Sequence, residues 1–172
     1  MSDPRARLAP AIDRLRFSRR TTETFLADLV PGDWLWQPGD GLNHIAWHVG
    51  HVTYAQYFLC VVRVRGRIES DRDLVPTAFL RRYKFGSRPS ANPARNATPD
   101  ELLATLRGVH ELALAELERR TDADLVTPAE PAHPLFETTL GGVEWCSQHE
   151  LIHCGQMMLL RRMLGKPALW KM

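Results

Sequence analysis

The sequence predicts an all-α protein, a four-helix bundle with long crossover loops between its helices. Four long segments carry apolar residues at helical spacing, and prolines and glycines separate those segments. No segment alternates apolar and polar residues clearly enough to predict a strand. Four amphipathic helices in 172 residues are typical of a bundle. We expect one domain over residues 1–172, because no shift in composition marks a boundary.

The first helix is predicted over about residues 3–29. An Asp-Pro pair suits its start, with Asp3 as the N-cap and proline at the first helical position. Because Pro10 then falls inside the segment, the regular helix is expected to begin only there. A proline-glycine pair ends the segment. The loop that follows carries Trp34 and Trp36, which are expected to cover one end of the core or to form a pocket wall.

The second helix is predicted over about residues 43–66, with Asn43 as its N-cap. A polar segment follows over residues 67–98, and one short helix is expected near residues 76–83. The third helix has the clearest start, because Thr98 precedes a proline and two acidic residues. Apolar residues at helical spacing then continue the pattern for several turns.

The last helix is predicted over about residues 142–164. The segment before it, residues 122–142, is rich in proline and glycine and is predicted to be a loop. The helix is expected to end at Gly165, which a proline follows two residues later. Its centre contains His149 and His153.

The composition excludes some classes of function. The chain has 22 basic and 20 acidic residues, and this net charge of +2 is too balanced to indicate nucleic-acid binding. No apolar run is long enough for a secretion signal or a membrane span, so no membrane partner is expected. Three cysteines are an odd and sparse set, consistent with a reducing cytoplasm. Two basic groups are expected to be solvated faces, with anion binding as the alternative: Arg14, Arg16, Arg19 and Arg20, and Arg81, Arg82, Lys84 and Arg88.

The histidines are the strongest functional signal. His149 and His153 lie one turn apart on one face of the predicted helix, where both imidazoles can reach a single divalent ion. The second helix offers a third ligand among His44, His48 and His51. The apolar neighbours of His51 make it the first choice, His48 is the second, and His44 lies too near the helix start. The alternative is that these histidines are hydrogen-bonded core residues that bind no metal.

Residues beside these histidines are weaker candidates. The segment around Glu150 matches the HExxH pattern of zinc peptidases, in which the glutamate is the general base. Its carboxylate lies about 100° around the helix from the preceding histidine, so it is expected to reach a bound water or to face solvent. Cys154 is turned about 100° from His153 and is a poor ligand. His110 and His133 have no partner at ligand spacing and are expected at the surface.

Two motifs resemble those of the DinB/YfiT-like proteins. Residues 43–51, Asn-His-Ile-Ala-Trp-His-Val-Gly-His, resemble that family's first metal-ligand helix, and residues 149–156, His-Glu-Leu-Ile-His-Cys-Gly-Gln, resemble its second motif. The loop Trp-Gln-Pro-Gly is similar to the family's loop before the first ligand helix. The resemblance implies a four-helix bundle of up-down-down-up order that binds a divalent ion through His51, His149 and His153.

Further residues are expected to complete this site. Gly155 would allow close helix packing, and Gln156 would bond to the second nitrogen of a ligand or to loop backbone. The side chains expected in the pocket or around the ligands are those of His48, Trp36, Trp47, Gln148, Glu150 and Gln156.

Characterised relatives of that family include thiol-dependent S-transferases and a maleylpyruvate isomerase, which use bacillithiol or mycothiol. We therefore expect a cytoplasmic metalloenzyme, and a three-histidine site suits zinc, nickel or iron. The resemblance implies that it transfers a low-molecular-weight thiol to a small electrophilic substrate. The basic groups named above could hold the carboxylates of such a thiol, and metal-assisted hydrolysis is the less favoured reaction. The alternatives are a non-catalytic metal- or small-ligand-binding stress protein, as a homodimer formed through an apolar helix face, and a bundle whose histidines are structural.

Overall fold

The computed structural model describes residues 3–169 and is mostly helical, which confirms the all-α class. In chain order the helices are α1 (Pro4–Leu26), α2 (Ile45–Tyr57), α3 (Arg63–Arg65), α4 (Asp71–Leu74), α5 (Thr77–Tyr83), α6 (Pro99–Glu118), α7 (Asp122–Val126) and α8 (Thr139–Met163). A π-helical turn, Phe58–Val62, joins α2 to α3, and short 3-10 turns lie at Pro31–Asp33 and Pro93–Arg95. Strands β1 (Pro128–His133) and β2 (Phe136–Thr138) precede α8. Within residues 3–169, none of the helices has the length and apolar content to cross a membrane.

Helix α1 begins at the predicted N-cap, Asp3. The Asp3 side chain caps it by accepting a hydrogen bond from the backbone N–H of Arg5 at 2.9 Å. The helix then continues through Pro10, so the prediction that regular helix begins at Pro10 is wrong. Pro10 is exposed, and the carbonyl that its missing N–H leaves unpaired can therefore bond to water.

The start of α2 also differs from the prediction. His44, rather than Asn43, is the N-cap, because its Nδ1 accepts a hydrogen bond from the backbone N–H of Trp47 at 3.0 Å. At α6 the predicted cap is confirmed, since Thr98 and Glu101 form a reciprocal capping box.

The segment over residues 122–142 is not the loop that the sequence predicted. It contains α7 and an antiparallel hairpin of β1 with β2, in which Pro128 pairs with Thr138. Prolines within β1 and the absence of alternation hid these strands from the sequence pattern. Helix α8 accordingly begins at Thr139, and the hydroxyl of Thr138 caps it by accepting from the N–H of Gly141 at 3.1 Å.

The four longest helices pack in pairs around one core. Helix α1 packs along α8, α2 packs along α6, and α2 also contacts α8. Large side chains that are almost wholly buried, such as Leu15, Tyr57, Leu106 and Met157, come from all four helices. Because α2 and α8 touch directly, the histidines of these two helices meet inside the protein.

Candidate metal centre

Three histidines from α2 and α8 converge on one point. His51, His149 and His153 each offer a ring nitrogen, and these nitrogens all lie within 4.8 Å of one another. His51 and His153 are buried and His149 is half-buried. Nitrogens bound to one zinc ion at about 2.0–2.1 Å lie roughly 3 Å apart, so small ring movements would complete a site. The cluster is compatible with binding a metal ion.

A backbone carbonyl fixes the orientation of His51. Its Nδ1 lies 2.8 Å from the carbonyl oxygen of Tyr83 and donates to it, which leaves Nε2 with the free lone pair. Gly50 permits this contact, because a Cβ at that position would lie 2.3 Å from Cγ of the Tyr83 ring. Trp47 stacks on the imidazole of His51, with ring centroids 4.6 Å apart and planes 7° from parallel.

His153 lies between two other imidazoles. Its Nδ1 is 2.8 Å from Nδ1 of His48, and its Nε2 is 3.2 Å from Nε2 of His149. If Nδ1 of His153 donates to His48, its Nε2 lone pair is directed at the same point as His149. His48 therefore lies where a partner that orients a ligand is expected. Nδ1 of His149 is buried and has no hydrogen-bond partner among the described residues.

Burial keeps these imidazoles neutral. Desolvation lowers the pKa of His153 to about 2, with further contributions from His149, His48 and His51. The pKa of His149 is lowered to about 4 and that of His48 to about 3, again chiefly by burial. Burial also lowers the pKa of His51. Neutral imidazole is the form that binds a metal ion.

Glu150 does not occupy either position expected of it. Its side chain is buried against α1, where Oε1 lies 3.1 Å from Nε of Arg19 and accepts a 2.7 Å hydrogen bond from the hydroxyl of Thr22. The expectation that this carboxylate reaches a bound water or faces solvent is therefore wrong. The rotation of about 100° per residue turns Glu150 toward α1 while His149 faces α2. The arrangement does not support the role of general base in an HExxH peptidase.

Sequence reasoning missed the residues that hold Glu150. Arg19 was expected on a solvated face, yet it is 3% exposed and also donates to Oε1 of Gln56 at 2.7 Å. Gln56 in turn contacts Nδ1 of His110 at 3.0 Å, so His110 is half-buried rather than a surface residue. The alternation of arginine with apolar residues in α1 gave no sign of this, because burial of one arginine depends on a partner distant in sequence.

The remaining predicted residues are divided between the interior and the surface. Trp47 lies beside His51 and donates to the hydroxyl of Ser87 at 3.0 Å, whereas Trp36 packs against the core. Gln148 and Gln156 are exposed, and among the described residues Gln156 makes no hydrogen bond to a histidine.

Two further expectations are corrected. A Cβ on Gly155 would meet nothing within 4 Å, so the expectation that Gly155 allows close helix packing within the chain is wrong. His133 is half-buried and stacks on Phe136 at 4.1 Å, rather than lying free on the surface.

A cavity of about 350 Å³ opens beside the histidines. His51 and His149 lie in its wall, and most of the other lining side chains are apolar or aromatic: Tyr54, Ala55, Phe58, Leu59, Phe85, Leu135 and Trp145. Arg63 also lines it, with its guanidinium 5.2 Å from the centre of the Phe58 ring. The cavity gives a small apolar molecule a route to the two histidines.

Comparison with protein-family models identifies a family for most of the chain. The model of the DinB superfamily matches residues 14–157, which include all of α2 and both histidines of α8. A search of curated proteins finds no match.

Proposed function

The chain belongs to the DinB superfamily, and we propose that it is a divalent-metal-dependent enzyme whose ion is bound by His51, His149 and His153. One observation carries the proposal: three neutral, largely buried imidazoles from two helices place nitrogens within 4.8 Å of one another. The buried Nδ1 of His149, which has no hydrogen-bond partner among the described residues, supports it, because such an atom is unfavourable without a partner and a bound ion would supply one.

The proposal includes the architecture of the whole chain. The four longest helices, α1, α2, α6 and α8, form an up-down-down-up four-helix bundle, and residues 1–172 are one domain. The packing of α1 on α8 and of α2 on α6 supports this arrangement.

The ligand set suits zinc, nickel or iron, which all bind imidazole. When bound there, such an ion lowers the pKa of a thiol or a water molecule in its open position. Because Arg19 engages Glu150, that carboxylate is not free to deprotonate water beside the histidines. This favours a reaction whose nucleophile is a cosubstrate thiol, rather than hydrolysis.

The reaction that fits best is transfer of a low-molecular-weight thiol to a small electrophilic molecule. The apolar walls of the 350 Å³ cavity suit an uncharged or aromatic electrophile, and Trp145 and Phe58 offer flat surfaces against which it can pack. Arg63 in the same wall offers a cation to a partly charged leaving group or carboxylate. His51 and His149 would then hold the reacting end.

The second candidate is a non-catalytic metal- or small-ligand-binding stress protein. The largely apolar lining of the cavity supports it, because such a lining can hold a ligand that is bound without being converted as well as it can hold a substrate. The three unpaired, buried cysteines fit the cytoplasmic location that both candidates assume.

A homodimer through α8 is also part of the proposal. Apolar residues lie exposed along this helix on either side of Gly155, where the backbone is open to close approach: Leu151, Ile152, Met158, Leu159 and Met163. Sedimentation of wild type beside Leu159→Glu tests this, because a dimer through this face should dissociate in the variant.

A thiol-conjugation screen separates the two candidates. Purified protein loaded with zinc or nickel is mixed with an aryl halide or an epoxide and, in turn, cysteine, glutathione, bacillithiol or mycothiol. The enzyme proposal predicts metal-dependent loss of thiol that His51→Ala abolishes. Metal binding without turnover for every thiol would favour the binding protein.

A further inference from the structure

A second cavity, which Trp47 helps to line, is strongly basic. It has a volume of about 630 Å³ and is formed by α5, the segment over residues 84–96 and the Trp47 side chain. No acidic side chain lines it, and its cations are Arg81, Arg82, Lys84, Arg88 and Arg95. For a chain with a net charge of +2, this is a pronounced concentration of one sign.

These cations lack the partners that arginines have elsewhere in the molecule. Within residues 3–169, none of the five forms an ion pair, whereas Arg7, Arg65 and Arg161 each pair with a carboxylate. Arg82 lies over the Tyr83 ring at 5.9 Å, and its charge helps lower the pKa of Glu101, which is outside the lining. Like charges in a concave surface repel one another and focus a positive field on its centre, where an anion would be stabilised.

The wall of this cavity is held in place by hydrogen bonds. The carbonyl oxygen of Ser90 lies 3.0 Å from Nε2 of His44 and accepts from the side-chain amide of Asn96 at 2.6 Å. The hydroxyl of Ser87 accepts from Nε1 of Trp47 at 3.0 Å, which leaves its own proton free to donate. The loop is therefore fixed before a ligand arrives, which lowers the entropy lost on binding.

The same segment contacts the metal centre. Tyr83 ends α5, and its carbonyl oxygen accepts a hydrogen bond from His51. Trp47 is shared, because it lines the cavity and also stacks on His51. A ligand in the basic cavity would lie one side chain away from the proposed reaction site.

We propose that this cavity binds a small polyanion with at least two carboxylate or phosphate groups, as the acidic part of the cosubstrate. Guanidinium groups bind such oxyanions through paired hydrogen bonds, and the volume matches that of a small-molecule site. Assignment of the ligand to the same reaction rests on the function proposed above, but anion binding itself does not.

Calorimetric titration of metal-free protein with citrate and with inorganic pyrophosphate tests the proposal and distinguishes carboxylate from phosphate ligands. We expect wild type to bind at least one of them, with an affinity that falls as sodium chloride is raised. Arg81→Gln/Arg88→Gln should raise the dissociation constant at least about tenfold. The control Arg14→Gln/Arg20→Gln removes the same charge from exposed residues of α1 and should bind as wild type does.

Three results would overturn the proposal: no binding of either anion to wild type, an equal loss of affinity in the two double variants, or loss of binding in His153→Ala alone. The last would place the anion at the histidines. If Arg81→Gln/Arg88→Gln does not fold, as judged by circular dichroism, Arg95→Gln replaces it. Because the titration uses metal-free protein, a failure to bind either anion would not change the interpretation of the thiol-conjugation screen.

Discussion

Neighbouring residues of α8 face two different parts of the protein interior. His149 and His153 face α2, where they meet other imidazoles, whereas Glu150 and Cys154 face α1. On the α1 side, Glu150 meets Arg19, and the cysteine sulfur lies 3.2 Å from the hydroxyl of a threonine. Both sides bury polar groups, but only the α1 side brings together groups of opposite charge.

The difference shows how a structural polar cluster is distinguished from a candidate ligand site. In the Arg19–Glu150 cluster, buried charges neutralise each other within the chain. In the histidine cluster, neutral rings direct nitrogens at one another, and one buried nitrogen of His149 has no partner among the described residues. Burial alone does not identify a site. Several neutral imidazoles that converge on one point, with a buried nitrogen left unpartnered, are compatible with an added cation.

The largest expected effect is on the α1 side. Glu150→Gln leaves Arg19 buried without its counter-charge, so the free energy of unfolding should fall by about 3–5 kcal/mol. The control is Glu144→Gln on the same helix, whose ion pair with Arg7 is partly exposed and should be worth at most about 1 kcal/mol. Urea unfolding of both variants measures this. Equal losses would mean that the two ion pairs do not differ as described.

The next effect concerns a residue that touches no metal. Gly50→Ala would place a methyl group 2.3 Å from the wholly buried Tyr83 ring, so the ring and the carbonyl that orients His51 must move. Zinc affinity should fall about 10–100-fold, the range for loss of a partner that orients a ligand.

Gly155→Ala is the matched control, because the added methyl group meets only open space on α8. Its zinc affinity should equal that of wild type, and its helix should be stabilised by up to about 1 kcal/mol. If competition with a chelating dye gave the two glycine variants the same zinc affinity, the carbonyl of Tyr83 would have no part in orienting His51.

A smaller effect is expected from His48. His48→Phe keeps a ring of similar shape but removes the nitrogen that lies 2.8 Å from Nδ1 of His153. Zinc affinity should fall about tenfold without a change in stoichiometry. His110→Phe, which removes an imidazole that contacts Gln56 instead, should leave zinc affinity unchanged. Loss of all metal from His48→Phe would make His48 a ligand rather than a partner of one.

A separate effect is the pH dependence of the stability of the metal-free protein near neutrality. The pKa values of His153 and His149 in the folded chain, about 2 and about 4, lie below the ordinary value of about 6.5. Between these values the unfolded chain binds more protons, so stability is fully present above about pH 6.5 and decreases as the pH falls. The melting temperature should therefore drop between pH 7.5 and pH 5, and less steeply in His149→Ala. Parallel curves would show that His149 is not held neutral by the fold.

Much of the helical framework was predictable from the sequence, because capping residues and apolar spacing act locally. The capping box at Thr98 is set by residues within one turn of each other. The start at Asp3 was also predicted, but the continuation of the helix through Pro10 was not, because the packing of α1 on α8 offsets the cost of an interior proline, about 3 kcal/mol. The hairpin of β1 and β2 was missed because its pairing depends on a contact between two short, proline-containing segments.

The candidate site was predictable from the sequence only in part. Helical spacing placed His149 and His153 on one face, and the structure brings His51 to them. The environment of Glu150 was not predictable, because spacing gives the angle of a side chain but not the neighbour it meets. The same limit applies to Gly155, which faces open space although glycine is also typical of close helix contacts.

The most direct test of the central claim is the metal content of untagged protein purified without chelator. Wild type is measured by mass spectrometry beside His153→Ala and beside Gln156→Ala, an exposed control on the same helix. We expect about one ion per chain in wild type and in Gln156→Ala, and almost none in His153→Ala. Equal metal in all three, or none in wild type even after incubation with zinc or nickel, would contradict the account.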